Sequence, residues 1–334
     1  MERRAGKRSV IRLGWMLAAW MAWTAHAWAQ PVPAATNQSP PKDDHELARR
    51  GVDLMLDGDL TGAKQAFRQI QHESPDSALG FVLEADVTWW EIYYDTANLI
   101  DPDVFDVSNK EATQFDSHFN DVLNVGIHKA EAQLHAHQDD ARNYLYEGFA
   151  YALRARMEGL HDRDLPTARA GKKMRTLLLH AVALDPSLTD AYLGLGIYNY
   201  FVDTLSAIVK LLSVFIGLPG GSRTEGLRQL QLCANKGELA RGEAKFYLAK
   251  DYSRASEKQF AKAQQLFGEL QQEYPHNPLW PMLVASLDFR LGKPQRGEAR
   301  YREVLENTAK GTSDVQAAVH RAAQEALRRL HPEQ

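Results

Sequence analysis

The chain holds a single cysteine, Cys233, in 334 residues. No internal disulfide is open to it, so its folded part must be held by burial, which a chain of this size can supply even in an oxidising compartment. Stretches in which Val, Ile or Thr alternate with polar residues are almost absent, while Ala, Leu, Glu, Gln, Arg and Lys fill most segments. That excludes a β protein and predicts an all-α one. Catalytic signatures are missing too. There is no Gly-x-Ser-x-Gly, no His-Glu-x-x-His, and no base evident beside Cys233. His-x-x-x-His pairs are also lacking, and His135 and His137 in "HAHQDD" lie two apart, so on a helix they point about 200° from one another and cannot share an ion. No catalytic residue, metal or cofactor is expected, and the chain reads as non-enzymatic. Excess positive charge is absent as well: 39 Lys and Arg stand against 43 Asp and Glu. A nucleic-acid partner is therefore not expected.

The first residues are of a different kind from the rest. Arg3, Arg4, Lys7, Arg8 and Arg12 precede an uncharged run from Leu13 to Ala29 that closes on Ala25-His26-Ala27 and Ala27-Trp28-Ala29. This is the layout of a secretory signal peptide over residues 1–29, with cleavage expected between Ala29 and Gln30 and export to the periplasm by a Sec-type route. The alternative is an inner-membrane anchor formed by residues 13–29, facing the periplasm. Residues 30–43, rich in Pro, Ser, Thr, Asn and Gln, read as a flexible linker.

From Asp44 onward the sequence repeats. Gly51, Ala63, Phe67, Ile70 and Pro75 are followed far downstream by Ala263, Phe267, Leu270 and Pro275, with the last three spacings the same. Looser copies run through Tyr144, Gly148 and Tyr151 with Met174, Leu178, Ala181 and Pro186; through Tyr192, Leu195 and Gly196 with Gly226, Leu230 and Cys233; and through Ala285, Gly297, Tyr301 and Val304. Small residues such as Gly51 and Ala63 let two helices approach, Phe67 fills the wedge toward the next pair, and Pro75 stops the second helix. These residues resemble the tetratricopeptide repeat (TPR) family, whose unit of about 34 residues is an antiparallel helix pair. The combination of "YLGLGIYNYF", an apolar segment and "GLPGGSRTEGLRQL" is similar to a group of exported bacterial TPR proteins. The resemblance implies a right-handed superhelical solenoid of helix hairpins over residues 44–331, closed by a capping helix at 313–330. The central repeats are irregular. Counted from Gly148, the small residue of the second helix belongs at position 160 but Met174 matches it; counted from Gly196 it belongs at 208 but Gly226 matches it.

The second enlargement contains Leu205–Leu218, fourteen residues with one charge, Lys210. A helix of that length covers about 21 Å and is too short to span a bilayer core of about 30 Å. Burial against neighbouring helices is expected; surface insertion is the alternative, with Ile208, Leu212 and Phe215 as the apolar contact. A phosphate loop is excluded because no Lys lies in "GLPGGSRTEG". Ser222 and Glu225 instead fit a capping box, and Arg223 beside that helix start could hold an anion. "TWWEIYYD" places Trp89 with Tyr93 and Trp90 with Tyr94 at i, i+4, two aromatic stripes of which one reads as core and the other as core or groove lining.

In the TPR family the first helices line a concave groove that binds peptides or proteins. Here that face would carry Arg142, Leu145, Phe149, Leu193, Ile197 and Tyr200, with Trp89 and Tyr93 beside it. So apolar a lining suits an apolar or aromatic protein segment rather than a free carboxylate terminus. The chain is thus expected to be a protein-binding scaffold or adaptor of the bacterial envelope. The second reading, from another class, is a membrane-peripheral or lipid-binding protein that uses residues 205–218.

Overall fold

Short polar side chains at helix starts divide the chain into its elements. The structure, a computed structural model, describes residues 42–102, 111–204, 217 and 219–331. The signal-peptide reading, the linker up to residue 41, and Ile208, Leu212 and Phe215 lie outside the described residues; Lys42 and Asp43, counted with the linker, already belong to the first helix. Among the described residues there are thirteen helices and no strand. They are α1 (Lys42–Leu56), α2 (Leu60–Glu73), α3 (Leu79–Thr96), α4 (Asp116–Ala136), α5 (Ala141–Leu160), α6 (Asp164–Leu184), α7 (Ala191–Thr204), α8 (Arg223–Lys236), α9 (Arg241–Ser253), α10 (Phe260–Glu273), α11 (Leu279–Arg290), α12 (Pro294–Thr308) and α13 (Asp314–Leu330). The side chains of Asp59, Asp140, Ser222 and Ser313 accept hydrogen bonds from backbone N–H groups that open α2, α5, α8 and α13, satisfying donors the helix itself cannot.

Each helix packs against the next along the whole described chain. Close approach is made possible where the repeat pattern places its small residues. A Cβ on Gly148 would fall 2.4 Å from Leu178 Cδ2, and one on Gly226 would fall 2.6 Å from the backbone N of Tyr200. Contacts between helices two apart in sequence join α1 to α3, α3 to α5, α5 to α7, α7 to α9 and α11 to α13, so the odd-numbered helices form an inner layer and the even-numbered ones are its cladding. The inner layer turns back on itself, since α13 also packs on α3.

Burial follows this arrangement. Every residue of α9 from Gly242 to Ser253 is buried, whereas α10, on the outside, buries only Ala263, Leu266, Phe267 and Leu270. The largest apolar cluster gathers residues of α1, α2, α3 and α7–α13; two smaller ones lie between α3, α4 and α5 and between α5, α6 and α7. At the centre of the large cluster Trp90 stands 5.1 Å from Phe246 and 6.2 Å from Trp280, ring centre to ring centre. Aromatic pairs at such separations add to the burial of their area.

The turn between α10 and α11 fastens the two ends of the chain. Asn277 Nδ2 donates to the Leu56 carbonyl at 2.8 Å and to Tyr94 Oη at 2.9 Å, while its Oδ1 accepts from the Leu279 N–H at 3.0 Å. Trp280 Nε1 donates to the same Leu56 carbonyl at 3.1 Å, and Tyr274 Oη donates to Asp53 at 3.3 Å. This closure was not foreseen from the repeat pattern, which speaks only of neighbours.

Two substitutions test the packing. Gly226→Ala should destabilise by about 1–3 kcal/mol, because backbone atoms cannot yield to the added methyl; Gly268→Ala, in α10, where an added Cβ meets nothing within 4 Å, should stabilise by about 0.5–1 kcal/mol. Urea unfolding followed by circular dichroism reads both. Asn277→Ala leaves buried polar groups unpaired and should lower stability by about 2 kcal/mol, measured as a lower urea midpoint with the spectrum of the folded state unchanged.

Candidate functional site

The residues that would line a groove on the first helices are divided by the structure between interior and surface. Leu145, Leu193, Tyr200, Trp89 and Tyr93 are buried. Leu193 and Tyr93 belong to the large cluster together with Ala48 and Val52 of α1, Trp89 to the cluster between α3 and α5, and Leu145 to that between α5 and α7. Tyr200 Oη donates to Glu257 at 3.2 Å. Phe149 and Ile197 are half-buried against the large cluster, and Arg142 is exposed at the start of α5. Residues of α1 and α3 share the large cluster with residues of α7 to α13, so the chain itself covers most of the expected lining. Of the candidates only Arg142, Phe149 and Ile197 keep surface open to solvent. Both aromatic stripes of α3 are inside, Trp89 facing α4 and α5 while Trp90, Tyr93 and Tyr94 face α9 and α11.

Fully wrapped, α9 brings its ionisable groups into the interior, and sequence reading missed them because Glu243, Lys245, Lys250 and Asp251 look like a solvated face. Arg156 of α5 reaches Glu243 at 3.4 Å and Asp86 of α3 at 3.2 Å, with its guanidinium 5.0 Å from the Tyr247 ring centre. Burial pushes Asp86 well above the usual carboxylate range, the charge of Glu243 adds to this, and Arg156 opposes it. Lys245 Nζ lies 2.6 Å from Glu273 and 3.1 Å from Glu269. Lys250 Nζ lies 3.3 Å from Tyr93 Oη and 5.3 Å from the Phe246 ring centre. Burial also raises Asp251 well above its ordinary value. Arg156, Lys245 and Lys250 thus tie α9 to α3, α5 and α10.

Cys233 is buried, its thiol pushed well above the ordinary value by burial, so it is a core side chain rather than a nucleophile. Next to it Asp190 accepts from the N–H groups of Glu238, Leu239 and Ala240 at 2.7, 3.1 and 3.1 Å, which fixes the turn into α9. Burial nonetheless raises its pKa. The Ser222 cap is half of a box: Ser222 Oγ accepts from the Glu225 N–H at 3.3 Å, but Glu225 pairs with Arg228 at 2.6 Å. Arg223 finds its anions within the chain, its N–H donating to Asp203 at 2.9 Å and its Nε lying 3.3 Å from Glu257. His135 and His137 are exposed, and Asp140 caps α5. Among the described residues no three His, Cys, Asp or Glu side chains are grouped to hold a metal ion, and no helix is long and apolar enough to cross a membrane.

Two shallow hollows mark the outside. One of about 450 Å³ lies over α10–α12, lined by Gln264, Gln271, Gln272, Arg296 and Arg300 among others, but both arginines turn to the buried Asp288. The other, of about 460 Å³, is formed by Asp76 and the Val125–Gln133 face of α4. No protein-family model matches this chain, and no curated protein matches it either.

The Arg156 cluster yields a signed prediction. Arg156→Met strands two buried acids and should cost about 3–5 kcal/mol near neutral pH. Asp86 has a raised folded pKa, so its contribution favours the fold at low pH and fades as pH rises through that value. Without Arg156 that pKa rises further. The deficit of the variant against wild type, read by urea unfolding, should therefore be larger at about pH 8 than at about pH 5.

Proposed function

We propose that this protein is a non-enzymatic scaffold or adaptor of the bacterial cell envelope: an exported, TPR-like right-handed solenoid with lengthened central repeats that binds a protein or peptide partner. The observation that supports this best is the packing itself. Helix follows helix as hairpins, small residues such as Gly148 and Gly226 sit at the close crossings, and the first helices of successive pairs stack side by side. Stacked hairpins of this kind present extended faces suited to protein recognition. Because Leu145, Leu193 and Tyr200 are buried by the chain itself, the proposed contact is narrowed to the candidates that keep open surface, Arg142 with its charge and Phe149 and Ile197 with partly exposed apolar surface. An aromatic residue and an arginine are the side chains that most often dominate a protein interface.

Site-specific photo-crosslinking in the native envelope tests this. A photoreactive residue placed at Phe149 or at Ile197 in the full chain should give the same discrete protein adduct, absent when the probe stands at exposed Gln265 on α10. Arg142→Glu should lower the yield about tenfold, the loss expected of an interface anchor near 1.4 kcal/mol. Adducts of equal yield from Gln265, or none from α5 and α7, would remove these residues as the binding site.

A further inference from the structure

Four of the six large apolar side chains that stand exposed on the described residues fall on two neighbouring helices: Leu165, Leu179 and Leu184 on α6, and Phe201 on α7. Helix α6 buries Ala170, Met174, Leu177, Leu178 and Ala181 against its neighbours. At 100° per residue the opposite face carries Leu165, Arg169, Lys172, Thr176 and Leu179, with Arg175 at its margin. From Leu165 to Leu184 the helix has four Lys or Arg residues and no acid. Its one acid, Asp164, stands at the first residue, where the helix dipole favours a negative charge. Of the four bases, Lys173 is committed to Glu147 at 3.0 Å. Arg169 and Lys172 are exposed and form no ion pair among the described residues. Arg175 lies over the Tyr198 ring, 5.6 Å from its centre, with its Nε buried and without a hydrogen-bond partner among the described residues. Phe201, 49% exposed, stands one turn beyond Tyr198, whose ring lies against Gly171 of α6. The chain as a whole is acidic, with a formal charge of −4, so this band is a local feature and not an overflow of basic composition.

We infer that the outer face of α6, with Phe201 of α7, is a docking surface for an anionic phospholipid bilayer. The residue types match that occupant specifically. Leucines spaced along a helix and flanked by long cationic side chains allow the apolar tips to enter the acyl boundary while Lys and Arg heads remain at the level of the phosphates. Leu165 and Leu179 are fourteen residues apart, so the contact would run along about 21 Å of helix lying in the membrane plane. An acidic protein with apolar side chains of its own is the competing occupant; the spread of the leucines along one helix face favours the planar acyl boundary. The surface is separate from Arg142, Phe149 and Ile197, so a scaffold docked through α6 would keep those residues free.

A fluorescent reporter on the face itself gives a clean test. Because Cys233 is buried, a single introduced cysteine can be labelled with an environment-sensitive dye in the full chain, at Leu179→Cys and, as a control on another surface, at Gln69→Cys. Two-to-one vesicles of phosphatidylcholine and phosphatidylglycerol should shift the Leu179→Cys label to the blue and expose it to lipid-borne quenchers, while phosphatidylcholine alone and the Gln69→Cys label give little change. Adding Arg169→Gln and Lys172→Gln should raise the lipid concentration needed about 25-fold, at about fivefold for each basic residue. Salt at about 1 M, where the Debye length is about 3 Å, should do the same. The inference is overturned if the Leu179→Cys label does not respond to phosphatidylglycerol vesicles, as it would not if this face serves an acidic protein. It is equally overturned if the response is the same without the anionic lipid or survives loss of both charges. Unchanged circular dichroism of the double variant confirms that the comparison is between folded proteins.

Discussion

The structure depends on one helix having no outside. From Gly242 to Ser253 α9 is buried all round, and four of those residues, Glu243, Lys245, Lys250 and Asp251, are acids or bases. An isolated ion in the interior costs far more than a fold of marginal stability can supply, so three of the four are given partners, while burial pushes Asp251 toward its neutral form. The neighbours of α9 deliver those partners at set places. Arg156 comes from α5 to Glu243, Glu269 and Glu273 from α10 to Lys245, and Tyr93 from α3 to Lys250. The pairings of Arg156 with Glu243 and of Tyr93 with Lys250 join segments far apart in the chain. A register slip of α3 or α5 along α9 would strand a buried charge, so the ionic contacts specify the arrangement, while the aromatic packing of Trp90, Phe246 and Trp280 supplies most of the attraction.

That constraint also decides where recognition can take place. A stack of helix pairs that encloses an open groove would have left Leu145, Leu193 and Tyr200 exposed on its inner wall. Here residues of α1 and α3 join residues of α7 to α13 in one apolar cluster, and the clasp of Asn277 and Trp280 on the Leu56 carbonyl ties the first hairpin to α11 and the turn before it. Forming that cluster removes a large apolar surface from water, worth about 25 cal/mol for each Å² covered. It also gives up the groove as a site of the usual extent and leaves the open surface of Phe149 and Ile197.

Much of this was legible in the sequence, and the limits have physical causes. Helix content, the small residues at close crossings and the Ser222 and Asp140 caps follow from local rules, since capping and close approach depend on residues a few positions apart. The capping box was only half right because Glu225 has Arg228 one turn away on the same helix, a competitor for its carboxylate as near as the backbone it was expected to reach. The full burial of α9 was hidden. Periodicity tells which face of a helix meets one neighbour, but says nothing of how many neighbours surround it, and Lys245 and Lys250 read as solvent-facing until Glu273 and Tyr93 are brought to them by the tertiary fold. The candidate groove failed to be legible for the same reason. Whether Leu193 faces a partner or packs in one cluster with the chain's own α1 depends on residues far apart in sequence, Val52 and Leu193 among them.

A closed interior moves the burden of function to the cladding helices, and these are not alike. The outer side of α10 is mostly polar, with Gln265 donating to Glu269 at 3.1 Å. The outer side of α6 carries, among exposed leucines, Arg169 and Lys172, which form no ion pair among the described residues. Helices of equivalent standing in the repeat have the same duty toward the core, so a difference confined to their solvent faces is not explained by packing. Leu165 and Leu179 leave 43% and 39% of their surface in water, apolar area that carries a risk of aggregation. Their presence beside Arg169 and Lys172 is therefore the clearest sign on this molecule of a surface shaped for something other than water.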